Sequence, residues 1–171
     1  LIFTAGELDE TKYGQPVAVE VRKDGLVTAK RSKDGWRRSV YVRHRRKEMP
    51  TFLEVFDLPQ MNPNCTERKI SNVVSQPLLL VNNKMVHELA VYFADRVRKQ
   101  AGDDPAQQIK LAYQLAYQRP PAETELALAL KSLKLLNPPT DKDSQQDSRP
   151  ADGFTEYCHV LLNSAEFLYI D

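Results

Sequence analysis

Lys84-Met85-Val86-His87-Glu88-Leu89-Ala90-Val91-Tyr92-Phe93-Ala94-Asp95-Arg96-Val97-Arg98-Lys99 decides the fold class of this chain. Val86, Leu89, Ala90, Phe93, Ala94 and Val97 recur at the 3.6-residue spacing of a helix with one buried face. Gly102 follows as its stop signal. Downstream, Asp104-Pro105 opens a second helix, with Ile109, Ala112, Tyr113, Ala116 and Tyr117 as its apolar stripe. Arg119-Pro120-Pro121 breaks the chain, and Pro121 leads a third helix to Leu136 that buries Leu126, Leu130, Leu133 and Leu136. Residues 137–152 are polar and Pro-rich, with too little apolar surface to offset ordering, and are expected to form a flexible loop. A last helix, about Phe154 to Leu162, carries Tyr157, Cys158, Leu161 and Leu162 before an apolar tail over residues 166–170 that is expected to dock.

Upstream of that stretch, Ser75-Gln76-Pro77 caps a short helix that Asn82-Asn83 closes, and Pro50 opens another through Phe56. Between them, residues 58–70 form an irregular loop longer than the usual connection. Residues 16–22 alternate with period two, Asp24-Gly25 is a turn signal, and residues 26–30 read as the return strand of a hairpin. Lys33-Asp34-Gly35 leads into a third strand over residues 36–43, while residues 1–16 show no sustained period. The expected fold is mainly α with a small β element: a hairpin or three short strands, then a body of four or five helices. Residues 1–171 are expected to form a single domain. Because the chain begins at Leu1 without a Met, it reads as a piece of a larger protein.

A chain of 171 residues with 42% hydrophobic and 27% charged residues is ordinary for a globular domain, and no apolar run reaches the length of a membrane span. The net charge of +1 conceals an asymmetry: between Arg22 and Lys47 stand eleven Lys/Arg against Asp24 and Asp34, about +9, leaving about −8 elsewhere. Such a stretch attracts a glycan or another anionic polymer, or is simply a solvated basic surface. With only Trp36 and Tyr41 interleaved, it lacks the aromatic platforms of nucleic-acid binders. Cys65 and Cys158 make no CxxC pair, and their spacing leaves open a bridge or two free thiols. His87 and Glu88 are adjacent and do not share a helix face, and no His-x3-His occurs, so no metal site is expected. His44, among Arg43, Arg45 and Arg46, reads as a solvent-exposed histidine.

The candidate binding residues are Arg37, Arg38, Asp57, Asn64, Thr66, Arg68 and Asn82. Arg37 and Arg38 adjoin on an expected strand and so point to opposite faces. Asp57, ahead of Leu58-Pro59, is a bidentate partner for the inward arginine, and Arg68 is a second cation for the same cluster. Together they describe either a cationic pocket for a carboxylate, sulfate or sugar, or an ion-pair network pinning the long loop. Asn64, Thr66 and Asn82 suit a sugar site and equally suit turns and caps. Asp57 with Glu54 or Glu67 is the one carboxylate pairing of the glycosidase kind.

Six segments in order, Arg-Arg-Ser-Val-Tyr-Val (37–42), Phe-Asp-Leu-Pro (56–59), Cys-Thr-Glu-Arg (65–68), Ser-Gln-Pro-Leu-Leu-Leu-Val-Asn (75–82), Arg-Pro-Pro-Ala-Glu-Thr-Glu-Leu (119–126) and Leu-Leu-Asn-Ser-Ala-Glu-Phe-Leu-Tyr-Ile-Asp (161–171), resemble the PSD1 family. That is a planctomycete-type C-terminal domain of unknown function, often downstream of a cytochrome-c-like domain. The resemblance implies an exported or periplasmic setting, a multidomain parent with haem in an upstream domain rather than here, and a link to polysaccharide use. It carries no established catalytic residues. The expectation is a non-catalytic binding or scaffold module. A polysaccharide hydrolase or lyase using Asp57 is the first rival, and a purely structural interdomain interface the second.

Overall fold

The computed structural model of the protein describes residues 1–45, 47–58, 74–136 and 152–169. In chain order these form α1 (Ile2–Ala5), β1 (Leu8–Asp9), β2 (Val19–Val21), β3 (Val27–Ala29), β4 (Trp36–Arg37), a 3₁₀ turn (Ser39–Tyr41), α2 (Thr51–Val55) and α3 (Ser75–Asn82). Then come α4 (Lys84–Ala101), α5 (Pro105–Tyr117), α6 (Glu123–Leu136), α7 (Gly153–Leu162) and α8 (Ala165–Leu168). The mainly helical fold with small N-terminal strands is therefore as the sequence predicts. Two compact units divide the chain: Ile2 with Glu7–Asn82, and Leu1, Phe3–Gly6 with the described residues from Asn83 on.

The helical unit is built on α4. Its six periodic residues, Val86, Leu89, Ala90, Phe93, Ala94 and Val97, are each at most 1% exposed. Asn83 caps the helix, its side chain accepting the Met85 N–H at 2.9 Å, an arrangement that stabilises by about 1 kcal/mol. At the other end Gly102 adopts φ 70 and returns its N–H to Arg98 O. α4 packs against α5 and α7, and α6 packs against both of those. Ile109 and Ala112 from α5, Leu133 from α6, and Phe154, Cys158 and Leu162 from α7 complete a continuous buried core. Burying Phe93 alone contributes about 1.5–3 kcal/mol. Leu136, expected inside, is 45% exposed because it is the last residue of α6, beyond the turn that faces the neighbouring helices.

The smaller unit departs further from expectation. The predicted hairpin is present, β2 and β3 pairing antiparallel with Glu20 opposite Thr28. The expected third strand meets the hairpin's first segment at Val42, which bridges Val17 in parallel just ahead of β2. Trp36–Arg37 pairs parallel with β1, Leu8 opposite Trp36 and Asp9 opposite Arg37. Residues 39–41 then wind into the 3₁₀ turn, which breaks the alternation and leaves Val40 79% exposed while Val42 is buried. Residues 1–16, read as irregular, contain α1 and β1; two elements this short carry no detectable period. Gly35 makes the parallel pairing possible: with φ 119, a Cβ there would lie 2.2 Å from Glu7 O. Residues 58–70 and 137–152, both expected as loops, lie outside the described residues except for Leu58 and Asp152, and Asp152 caps α7.

Candidate functional site

Arg37 is the anchor of the smaller unit. Its Nε and Nη2 donate to Thr11 O at 3.2 and 2.8 Å, Nη2 also to Tyr13 O at 2.6 Å, and Nη1 to Gln15 O at 3.1 Å. Its guanidinium lies 4.2 Å from the centroid of the Tyr41 ring, within cation–π range. Asp9, directly opposite Arg37 on the paired strand, accepts the Thr11 N–H at 2.9 Å. Hydrogen bonds from the hydroxyl and N–H of Thr11, then from Ser32, together with the Arg37 charge, hold the Asp9 carboxyl below its ordinary range. Residues 11–15 are thus tied at alternate carbonyls to one arginine. Tyr13, at the tip, has φ 63 and is followed by Gly14 at φ 86. A tyrosine in the left-handed region costs on the order of 1–2 kcal/mol.

The sequence predicts Asp57 as the partner of the inward arginine, but the donors of Arg37 go to loop carbonyls. Asp57 has φ 58 for a local reason. Its N–H bonds Glu54 O and the Leu58 N–H bonds Leu53 O, so it is the left-handed residue of a Schellman ending to α2. Arg38 is exposed and, among the described residues, makes no ion pair. Asn82 bonds back to Leu78 O at 2.9 Å within α3. Asn64, Thr66 and Arg68, with Cys65 and Glu67, lie outside the described residues. His44 is half-buried rather than exposed, and its Nε2 has no partner among the described residues.

A second cluster, not anticipated from spacing, lies in the helical unit. Arg119 donates to Glu125 at 2.8 Å through Nη1 and at 2.8 Å through Nη2. It reaches Glu166 at 2.6 Å through Nε and 2.9 Å through Nη2, and Pro120 O at 3.2 Å through Nη1. All five guanidinium N–H groups are thereby used. Glu125 also accepts the Ala122 N–H at 2.7 Å, the back-bonding half of a capping box at the start of α6. Those bonds pull the Glu125 carboxyl down to about 2 and push Arg119 further up. Beside it, the Tyr117 hydroxyl donates to Ser164 Oγ at 2.9 Å, and Ser164 caps α8 through the Phe167 N–H. Burial raises the Tyr117 and Tyr157 hydroxyls above the ordinary tyrosine value. Neither acid was signalled by the sequence: Ala122 at the N-cap gives Glu125 no capping-box signature, and Glu166 lies 47 residues from Arg119.

Three further side chains stand out in the helical unit. His87 and His159 stack with ring centroids 4.0 Å apart, joining α4 to α7. Cys158 is a buried free thiol that desolvation pushes well above its ordinary pKa, which makes it unreactive. Among the described residues no three His, Cys, Asp or Glu side chains gather as metal ligands, and no helix is long and apolar enough to cross a membrane.

Arg37, Asp57, Asn82, Arg119 and Glu125 all fall within residues 1–133, the span matched by the family model for PSD1, a protein of unknown function (DUF1553). The chain belongs to the PSD1 family. Comparison with curated proteins and with solved structures returned no match. The PSD1 match contains five of the six sequence segments; the one at residues 161–171, which supplies Glu166, lies beyond it.

Proposed function

We propose that this PSD1 chain is a non-catalytic binding or scaffold module of an exported multidomain protein connected with polysaccharide use or redox chemistry. The observation that carries the reading is the saturation of Arg119: a guanidinium engaged by Glu125, Glu166 and Pro120 holds helices together and has no donor left for a ligand. Arg37 is committed in the same way, to backbone carbonyls. Arg37 and Arg119 therefore serve the fold. The partners in this reading are upstream domains of the same polypeptide, where any haem would reside, and a glycan or other anionic polymer at the basic surface. A hydrolase or lyase using Asp57 is the weaker reading, since helix termination already accounts for the conformation of that residue.

The test is incubation of the purified chain with neutral and acidic polysaccharides, following release of reducing ends and unsaturated products. A module without catalysis releases neither above the buffer control. Turnover abolished by Asp57→Asn with folding intact overturns the reading.

A further inference from the structure

Tyr13 combines three properties that the fold does not need together. The residue is 81% exposed, its backbone is left-handed, and its carbonyl is one of three on residues 11–15 gripped by Arg37. An Asn or Gly would occupy that φ more readily, so holding a tyrosine there presents its ring to solvent from a loop that is already ordered. Pre-ordering of this kind removes the entropy that a mobile loop would lose on binding. Tyrosine also supplies a large amphipathic face with few torsions to freeze. Three cations, exposed Lys12 and Arg38 with Arg37 under the loop, stand against two carboxylates, Glu10 and the Asp9 group that Arg37 faces and that accepts the Thr11 N–H.

We propose that residues 11–15 form a binding loop in which the Tyr13 ring stacks on the pyranose face of an acidic sugar and Lys12 receives its carboxylate or sulfate. Single-stranded nucleic acid fits less well, because it uses successive aromatic platforms and residues 11–15 offer one ring. The inference rests on the chain being a non-catalytic module, and it names the ligand class of that module.

Calorimetry with oligogalacturonate and chondroitin sulfate hexasaccharides tests it, with cellohexaose and oligo-dT as comparison probes. Tyr13→Asn keeps the backbone favourable while deleting the ring; it should fold with an unchanged or higher melting temperature and bind an acidic hexasaccharide at least about tenfold more weakly. Tyr13→Phe should bind within about threefold of the native chain, and Lys12→Gln should weaken acidic but not neutral probes. The proposal is overturned if neither acidic hexasaccharide binds at millimolar concentration, if Tyr13→Asn binds as the native chain does, or if only oligo-dT binds. Failure of the module reading itself is separately visible as turnover of the hexasaccharide.

Discussion

Arg119 and Glu166 share two hydrogen bonds, of 2.6 and 2.9 Å, that join the end of α5 to α8 across 47 residues of sequence. Because Glu125 occupies the remaining face of the same guanidinium, the three residues act as one unit. Arg119→Ala is expected to lower the melting temperature, and Arg119→Lys to recover little of it, since an ammonium cannot make two forked contacts. In a double-mutant cycle Arg119→Ala and Glu166→Gln should be strongly non-additive. Additive effects, measured by thermal denaturation, would mean that the contact contributes nothing as a unit.

The same cluster sets a pH dependence. The Glu125 carboxyl lies at about 2 in the folded chain against an ordinary value of 4.5. A depressed carboxyl binds fewer protons folded than unfolded, so its stabilisation is complete above pH 4.5 and is lost as pH falls toward 2. Asp9 is shifted in the same direction and adds to the acid loss. The melting temperatures of the native chain and Glu125→Gln should differ at pH 6 and converge toward pH 2. A gap that stays constant with pH would refute the assignment.

What was legible in the sequence follows from length and locality. The stripe of α4 repeats over five turns, so all six predicted core positions are buried. The hairpin was legible because Asp24-Gly25 fixes it locally. A strand beginning at Trp36 was legible but its partner was not, because that partner is β1, a parallel strand of two residues far upstream, and parallel pairing leaves no turn signature. The candidate site was less legible still. Arg37 looks like a ligand-binding arginine in sequence, yet its partners are carbonyl groups, which have no residue-type signature.

Phe93 is fully buried on α4, the helix against which α5 and α7 pack. Phe93→Ala removes its transfer free energy and leaves a cavity, and should cost about 3–5 kcal/mol. Denaturant unfolding followed by circular dichroism measures this. A loss below about 1 kcal/mol would mean that this core is not close-packed.

Gly35 meets Glu7 O at a distance that no Cβ tolerates. Gly35→Ala must therefore shift the β1–β4 pair as well as strain the backbone, with a cost exceeding about 1–3 kcal/mol. Hydrogen exchange at Trp36, whose N–H bonds Glu7 O at 2.9 Å, reports the pairing directly. Exchange there should accelerate in the variant, and unchanged protection would contradict the parallel register.

Arg37 and Arg38, adjacent in sequence, should behave oppositely. Arg37→Ala strips three carbonyls on residues 11–15 of their donor and removes the stack on Tyr41. Hydrogen bonds to a charged group contribute about 1.5–3 kcal/mol when well shielded, and partial solvation here places the loss at about 1–2 kcal/mol. Arg38 is exposed and unpaired among the described residues, so Arg38→Ala should leave the melting temperature nearly unchanged. Limited proteolysis separates the two independently of global stability: cleavage after Lys12 should become fast only in Arg37→Ala. Equal protease resistance in both variants would show that residues 11–15 keep their conformation without Arg37, and the loop would then owe its order to Asp9 and Gly14 instead.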